Sequence, residues 1–330
     1  MIITRTPLRV SFFGGGTDLP GWFTNHGGAV LSTTINKYLF ISTRKMPQYW
    51  DFKNRFVYGS KTETVSLIDE IEHPAIREAL RFMNIPYGID MHYNTDIPAR
   101  SGMGSSSSFT VGFLRALYAM EGRMISDRRI AKEAIHIEQE LIKESVGCQD
   151  QIAASFGGLN HIVFHEDGNF EVNPVTIRQK RLQELNNHMI LIYTGVSRIA
   201  SRIEEKKIEQ IGRHKTELRS IQRYVDDALN LLNSDDPIDE FGSLLHETWL
   251  QKRKLSEDVT SDSLDGLYET CRNNGAIGGK LLGSGGGGFM LIFVKPDKRE
   301  EMLRAIPNYT PVPFSFDNTG CQIIYFQEDV

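Results

Sequence analysis

The segment Pro98-Ala-Arg100-Ser101-Gly102-Met103-Gly104-Ser105-Ser106-Ser107-Ser108 runs straight into apolar residues at Phe109, Phe113, Leu117 and Met120. Their spacing is that of one face of a helix, so a glycine-rich loop opens directly into a helix N-terminus. Glycines let backbone N–H groups approach an anion closely, the first N–H groups of the helix point at it, and the helix dipole favours negative charge there. Serine hydroxyls add further donors and can ligate a divalent cation. Such a loop is a cradle for a polyphosphate; taken alone it is equally an ordinary serine cap after a flexible turn.

Two other glycine-rich stretches share the chain with it. Pro7-Leu-Arg9-Val-Ser-Phe-Phe13-Gly14-Gly15-Gly16-Thr17-Asp18 reads as a strand entering a turn that ends in a hydroxyl and a carboxylate, and Lys280-Leu-Leu-Gly283-Ser284-Gly285-Gly286-Gly287-Gly288-Phe289 as a loop feeding a strand. Neither is a familiar nucleotide motif. Gly278-Gly-Lys280-Leu lacks the spacing and the hydroxyl of a P-loop. Gly283, Gly285 and Gly288 fit the dinucleotide fingerprint as a string but precede a strand instead of following one.

Around these stations the first hundred residues are β-rich, with strands expected at Ile2–Thr6, Arg9–Phe13, Ala29–Ile35, Tyr38–Thr43 and Ile89–Asn94. Helices are expected after Ser105, from Asp127 to Ser145, from Ser197 to Asn233, from Ile238 to Ser256, from Leu264 to Asn273 and near Lys298–Ala305. Strands are expected at Gly158–Phe164, Met189–Tyr193, Phe289–Val294 and Gln322–Phe326. The whole reads as α+β in two lobes, 1–185 and 186–330, with the boundary in the polar stretch at 165–188.

On the Asp127–Ser145 helix, Ala131, Ala134, Ile135, Leu141 and Ile142 share one face and Glu138 falls in its middle. An inward carboxylate asks for a partner or a metal; a rim glutamate on a half-exposed helix is the plainer alternative. His136 sits on the polar face. In Val146-Gly147-Cys148-Gln149-Asp150-Gln151, Asp150 follows the helix's glycine terminus, where an aspartate commonly caps the next helix. With Glu138 and the serine loop it also makes one side of a phosphoryl-transfer site.

By these three stations, in this order, with Glu138 and Asp150, the chain resembles the GHMP kinases, the superfamily of galactokinase, homoserine, mevalonate and phosphomevalonate kinases. The resemblance spans nearly the whole chain. It implies an N-terminal lobe like ribosomal protein S5 domain 2, a ferredoxin-like C-terminal lobe, and ATP and acceptor bound between them. It further implies that Pro98 and Arg100 to Ser107 wrap the ATP phosphates, that Ser106 and Glu138 hold Mg²⁺, and that Asp150 takes or orients the acceptor proton beside Arg9. Gly15, Gly16, Thr17 and Asp18 would contact the sugar, with Gly283–Gly287, Gly285 and Gly286 among them, closing the acceptor side.

Departures from the family pattern narrow the acceptor. Arg100 stands where a small residue is usual, and Met103 and Ser107 replace Leu and Ala. Gly14-Gly-Gly-Thr-Asp-Leu replaces the galactokinase form Gly-Glu-His-Thr-Asp-Tyr. That version, with Tyr193-Thr-Gly-Val-Ser-Arg198, is similar to the bacterial D-glycero-D-manno-heptose 7-phosphate kinases, which implies phosphorylation of the anomeric hydroxyl to the 1,7-bisphosphate on the route to GDP-heptose and surface polysaccharide. The acceptor's own phosphate needs a second anion site, for which Arg198, Arg202 and Arg100 are candidates. Other sugar-1-kinases (fucose, uronic acid), a sensor that binds sugar and ATP without turnover, and a mevalonate diphosphate decarboxylase are the rival readings. Thr17-Asp18 speaks against the last, and the presence of Arg9, Ser106, Glu138 and Asp150 together against the sensor.

Composition sets the frame. With 330 residues, 40% hydrophobic, the chain has material for two cores sharing a cleft. A net charge of −5 provides no broad basic surface for nucleic acid, so phosphate handling must be local. The opening MIITRTPLRVSFFGGG has no signal pattern, and no long uncharged apolar run occurs, so a cytoplasmic protein acting on a small molecule without membrane or nucleic acid is expected. Cys148, Cys271 and Cys321 are too few and scattered for a disulfide framework or zinc site. Oligomeric state leaves no trace in the sequence.

Overall fold

The computed structural model describes residues 1–99, 101–196 and 211–328. Strand β1 (Ile2–Phe13) is unbroken, and so is its antiparallel partner β2 (Gly28–Lys45), with helix α1 (Pro20–His26) between them. The sequence suggested two strands in each place, split at Pro7 and at Asn36-Lys37. Both breaks are one bulge: Pro7 pairs with Tyr38 and Leu8 with Ile35, so Asn36 and Lys37 are the extra residues. A bulge absorbs a proline that cannot donate to the ladder without ending the strand.

The chain continues through β3 (Asn54–Tyr58), β4 (Lys61–Val65), α2 (Pro74–Met83), β5 (Ile89–Thr95), α3 (Ser105–Met120), α4 (Asp127–His136) and α5 (Gln149–Phe156). Then come β6 (Leu159–Phe164), β7 (Phe170–Pro174), α6 (Gln179–Asn187), β8 (Met189–Tyr193), α7 (Lys215–Asn233), α8 (Asp239–Lys254) and α9 (Asp262–Asn273). It closes with β9 (Ala276–Leu281), β10 (Phe289–Val294), α10 (Arg299–Ala305), β11 (Thr310–Val312), β12 (Phe316–Asp317) and β13 (Gln322–Phe326).

Two sheets organise these elements. The large one runs β13-β1-β2-β5-β3-β4, with β6 and β12 also on β2 and β7 on β6; the small one runs β11-β8-β10-β9. The last two strands therefore return to the first sheet, and a cut between 185 and 186 separates β1 from its partner β13. One core lies under α2 and α3 against β2 and β5, around Phe56, Ile76, Met91 and Phe113. A second joins the two sheets through Phe12, Phe13 and Met103 on one side and Phe241, Phe289 and Phe293 on the other. Burying each such aromatic contributes about 1.5–3 kcal/mol. That shared core ties the two sheets together.

The expected Asp127–Ser145 helix ends early. After His136 one wider turn, Ile137–Leu141, closes with Ile142 N–H on the Ile137 carbonyl, and Lys143 adopts φ 62°. The wide turn shifts the helical phase. Leu141, expected on the apolar face, is exposed, while Glu138 at the turn's start stays fully buried.

Candidate active site

Arg9 leaves β1 pointing into the cleft and Asp150 enters it from the first turn of α5. The guanidinium grips the carboxylate with both arms, Nε to Oδ1 and Nη2 to Oδ2 at 2.7 Å each, and donates its remaining arm to the Gly102 carbonyl at 2.6 Å. Arg9 is buried, whereas the Asp150 side chain keeps 23% of its surface open to the cleft. A planar fork fixes the carboxylate's orientation as no lysine would. Gly104 (φ +74°) caps α3 here, and a Cβ on it would lie 3.2 Å from Asp150 Oδ2, so the phosphate loop and the ion pair meet without an intervening side chain.

The unpaired N–H groups at the start of α3 face the same cleft, of about 830 Å³, lined by Ser105, Ser106 and Ser107 together with Gly102 and Gly104. Of the loop's other residues, Pro98 is exposed and outside the lining, Met103 is in the core with its carbonyl on the Arg9 N–H, and Ser101 is buried with its carbonyl on the Phe289 N–H. Arg100 lies outside the described residues, as do Arg198 and Arg202.

Loops two and three touch backbone to backbone. A Cβ on Gly283 (φ +65°) would lie 2.5 Å from Gly102 Cα, and one on Gly288 (φ +89°) 2.2 Å from the Ser101 carbonyl. Gly285 lines the cleft; Gly286 does not, and gives its N–H to Val259. Gly283→Ala is expected to cost about 2–3 kcal/mol of stability through a strained φ and a collision with backbone. A denaturation midpoint equal to wild type would show that the two loops do not pack this way.

Glu138 accepts Ser107 Oγ at 2.9 Å and Gln151 Nε2 at 2.6 Å, both on Oε2, and the Thr110 hydroxyl also hydrogen-bonds its carboxylate. Burial pushes its carboxyl up to about 7 despite those donors. The hydroxyl paired with Glu138 is thus Ser107; Ser106, the expected metal-side serine, is exposed in the cleft. A buried carboxylate beside the Ser107 and Thr110 hydroxyls suits a hard cation whose remaining ligands come from phosphate. Among the described residues no cluster of three or more His, Cys, Asp or Glu side chains is placed to hold a metal by itself.

Thr17 is corrected by the fold. Its hydroxyl lies wholly buried between the Gly14 and Ala29 carbonyls at 2.8 and 2.9 Å, where it ties the turn to β2 and cannot reach a sugar. Asp18 accepts the Gly16 N–H at 2.9 Å and Gln149 Nε2 at 3.0 Å. Gly147 must be glycine, because a Cβ there would fall 1.9 Å from Asp18 Oδ2. Gly15 and Gly16 line the cleft.

Several lining residues carry no local sequence signal. Tyr58, His73, Tyr93 and Phe109 form an aromatic end to the cleft, with Tyr58–His73 centroids at 5.0 Å and His73–Phe109 at 4.9 Å. Burial pushes the His73 imidazole down to about 4, so it is neutral there. On the opposite wall, buried Lys280 donates to the Phe12 carbonyl at 2.8 Å and Lys252 to those of Leu281 and Gly283 at 2.7 and 2.6 Å.

A two-lobe fold with a glycine-lined anion cradle, a helix N-terminus and a fixed Arg–Asp pair in one cleft defines a nucleotide-dependent kinase. Residues 68–158 match the GHMP kinases N terminal domain family and residues 228–311 the GHMP kinases C terminal family. The chain is 31% identical to the D-glycero-alpha-D-manno-heptose 7-phosphate kinase of Campylobacter jejuni, over 92% of this chain and 93% of that one. It is 25% identical to the bifunctional fucokinase/GDP-fucose pyrophosphorylase of Arabidopsis thaliana, over 90% of this chain but 30% of the larger protein. In fold it follows the crystal structure of a D-glycero-D-manno-heptose 1-phosphate kinase from Bacteroides thetaiotaomicron, with TM-score 0.80, 24% identity and coverage of 99% and 100%. The chain belongs to the GHMP kinase family: it is an ATP-dependent phosphotransferase, a sugar kinase of that family. No helix among the described residues is long and apolar enough to cross a membrane.

Proposed function

We propose that the protein transfers the γ-phosphoryl group of ATP to the anomeric hydroxyl of D-glycero-D-manno-heptose 7-phosphate, giving the 1,7-bisphosphate and ADP for GDP-heptose and surface polysaccharide synthesis. The observation that carries the phosphotransfer reading is the Arg9–Asp150 pair, locked against the Gly102 carbonyl at the mouth of the α3 N-terminus. The heptose reading rests on the Campylobacter relative, matched over almost its full length, and on the Gly14-Gly-Gly-Thr-Asp-Leu turn.

The N–H groups of the loop and of α3 hold the transferred phosphate, and Arg9 faces the charge that develops on it. Asp150 takes or orients the proton of the attacking hydroxyl while the acceptor O–P bond forms and the bond to the ADP oxygen breaks. Such a reaction asks for position and charge neutralisation more than covalent chemistry. Glu138 and Ser107, with Ser106 beside them, would hold Mg²⁺, which when bound supplies charge neutralisation to the polyphosphate. The aromatic end at Tyr58, His73, Tyr93 and Phe109 suits the nucleobase, and Lys252 and Lys280 add positive charge to the acceptor wall.

ADP release with Mg-ATP tests this against heptose 7-phosphate, free heptose, mannose, fucose and galactose at matched concentrations. Turnover confined to the 7-phosphate is the expected result. Turnover of a free sugar keeps the kinase and discards the heptose phosphate, and ATP binding with no turnover of any acceptor favours a sensor.

A further inference from the structure

We infer that Ser11, Gly15 and Gln149 form a polar recess that reads an acceptor hydroxyl on the carbon next to the one being phosphorylated. The inference rests on the phosphotransfer reading of Arg9 and Asp150, and it adds a specificity-determining pair, Ser11 and Gln149, to that site.

Position comes first. Ser11 lies two residues along β1 from Arg9, hence on the same face of the strand, and Gln149 directly precedes Asp150. Both line the cleft, as does Gly15. A Cβ placed on Gly15 would stand 3.9 Å from Ser11 Oγ and 3.9 Å from Gln149 Nε2, so the missing side chain leaves a small space that both polar groups border.

Those groups have unmet hydrogen-bonding capacity. Ser11 is 5% exposed and Gln149 9%, and Ser11 Oγ and Gln149 Oε1 are buried with no hydrogen-bond partner. The amide's orientation is fixed by chemistry: the Asp18 carboxylate only accepts, so Gln149 must present its NH₂ to it, at 3.0 Å, which turns Oε1 away as an acceptor. Asp18 is therefore a positioning residue acting through Gln149. An alcohol seated here accepts the second N–H of Gln149 Nε2 and shares a hydrogen bond with Ser11 Oγ, giving the unpartnered serine the bond that is costly to leave unmade. A hydrogen in place of that hydroxyl leaves Ser11 Oγ orphaned and the second Gln149 N–H unused, which is how a site built around a hydroxyl rejects its deoxy analogue. The ligand class is a polyhydroxylated ring whose reacting hydroxyl has an oxygenated neighbour.

The test measures kcat and KM of wild type, Ser11→Ala and Gly15→Ala with heptose 7-phosphate and its 2-deoxy analogue. Gly15 has no left-handed φ and its Cβ would make ordinary contacts, so Gly15→Ala fills the recess without straining the chain. Ser11→Ala is expected to raise the acceptor KM about tenfold with the hydroxylated sugar and less than about twofold with the deoxy one. Gly15→Ala should raise the acceptor KM by about tenfold or more with the ATP KM unchanged. Equal losses with both acceptors, or a change in the ATP KM alone, would overturn the inference. If wild type turns over a different sugar, the substrate reading fails while the same comparison runs on that sugar and its 2-deoxy form. If it turns over none, calorimetric affinities of the sugars, measured with a non-hydrolysable ATP analogue bound, decide the matter: variants that bind as wild type does refute the recess.

Discussion

Asp150→Asn is expected to lower kcat by about 10²–10⁴-fold, the range associated with losing a positioned proton acceptor, while the ATP Kd changes only a few-fold. The asparagine keeps one acceptor oxygen for Arg9 and fills the same space, so the phosphate loop, tied to Arg9 through the Gly102 carbonyl, stays in place. What it removes is the negative charge. The charge left behind is that of Arg9, which is buried, so its loss of a paired carboxylate costs about 3 kcal/mol of stability even though the asparagine still accepts one of its N–H groups. Arg9→Lys provides the contrast. It keeps the charge but loses the two-armed grip, so the carboxylate is free to rotate and kcat should drop with the acceptor KM little altered. Full activity in Asp150→Asn would remove Asp150 from the chemistry and leave it as an anchor for Arg9.

The pairing of Arg9 and Asp150 had local signals: an arginine two residues after a proline in a strand-to-glycine turn, and an aspartate just past a helix end. Glu138 was legible by phase, since ten residues of regular helix from Asp127 to His136 precede it and carry the period faithfully. Leu141 was not, because the wide turn at Ile137–Leu141 breaks that period. The choice between Ser106 and Ser107 also lay beyond the sequence. Adjacent residues on a helix differ by about 100° in direction, so the side facing Glu138 depends on how α3 is rotated against α4.

Thr17 shows a different limit. Its place in a glycine turn beside the cleft is right, but a hydroxyl at a turn is as readily spent on nearby carbonyls as on a ligand, and here Gly14 and Ala29 take it. The aromatic end of the cleft had no signal at all. Tyr58, Tyr93 and Phe109 come from three separate elements and His73 from the loop before α2, and only the sheet order, which sets β3 beside β5 under α3, brings them together. The same holds for β13, whose β-branched and aromatic Gln322–Phe326 reads as a strand but not as a partner for β1 from the far end of the chain.

Glu138→Gln should separate stability from function in opposite directions. The Ser107 and Gln151 hydrogen bonds fall on Oε2, so an amide oxygen can receive both as before while the NH₂ takes the place of Oε1 beside the Thr110 hydroxyl. The native carboxyl titrates near 7 against an ordinary 4.5, so the folded state holds its proton more tightly than the unfolded chain. Stability from this group is fully present below pH 4.5 and is lost as pH rises through 7, because above that the fold must bury a charge. Metal-free wild type should therefore lose about 2.5 kcal/mol between pH 5 and pH 8 from this group, and the glutamine variant should not. At pH 8 the variant should then be the more stable protein by denaturant titration. Its affinity for Mg-ATP should nevertheless fall by about 10–100-fold, the scale of one lost charge-assisted contact, with metal-free nucleotide bound as before. A variant that weakens both forms of nucleotide equally, or that keeps the wild-type slope of stability with pH, would show that Glu138 braces α3 and has no part in holding the cation.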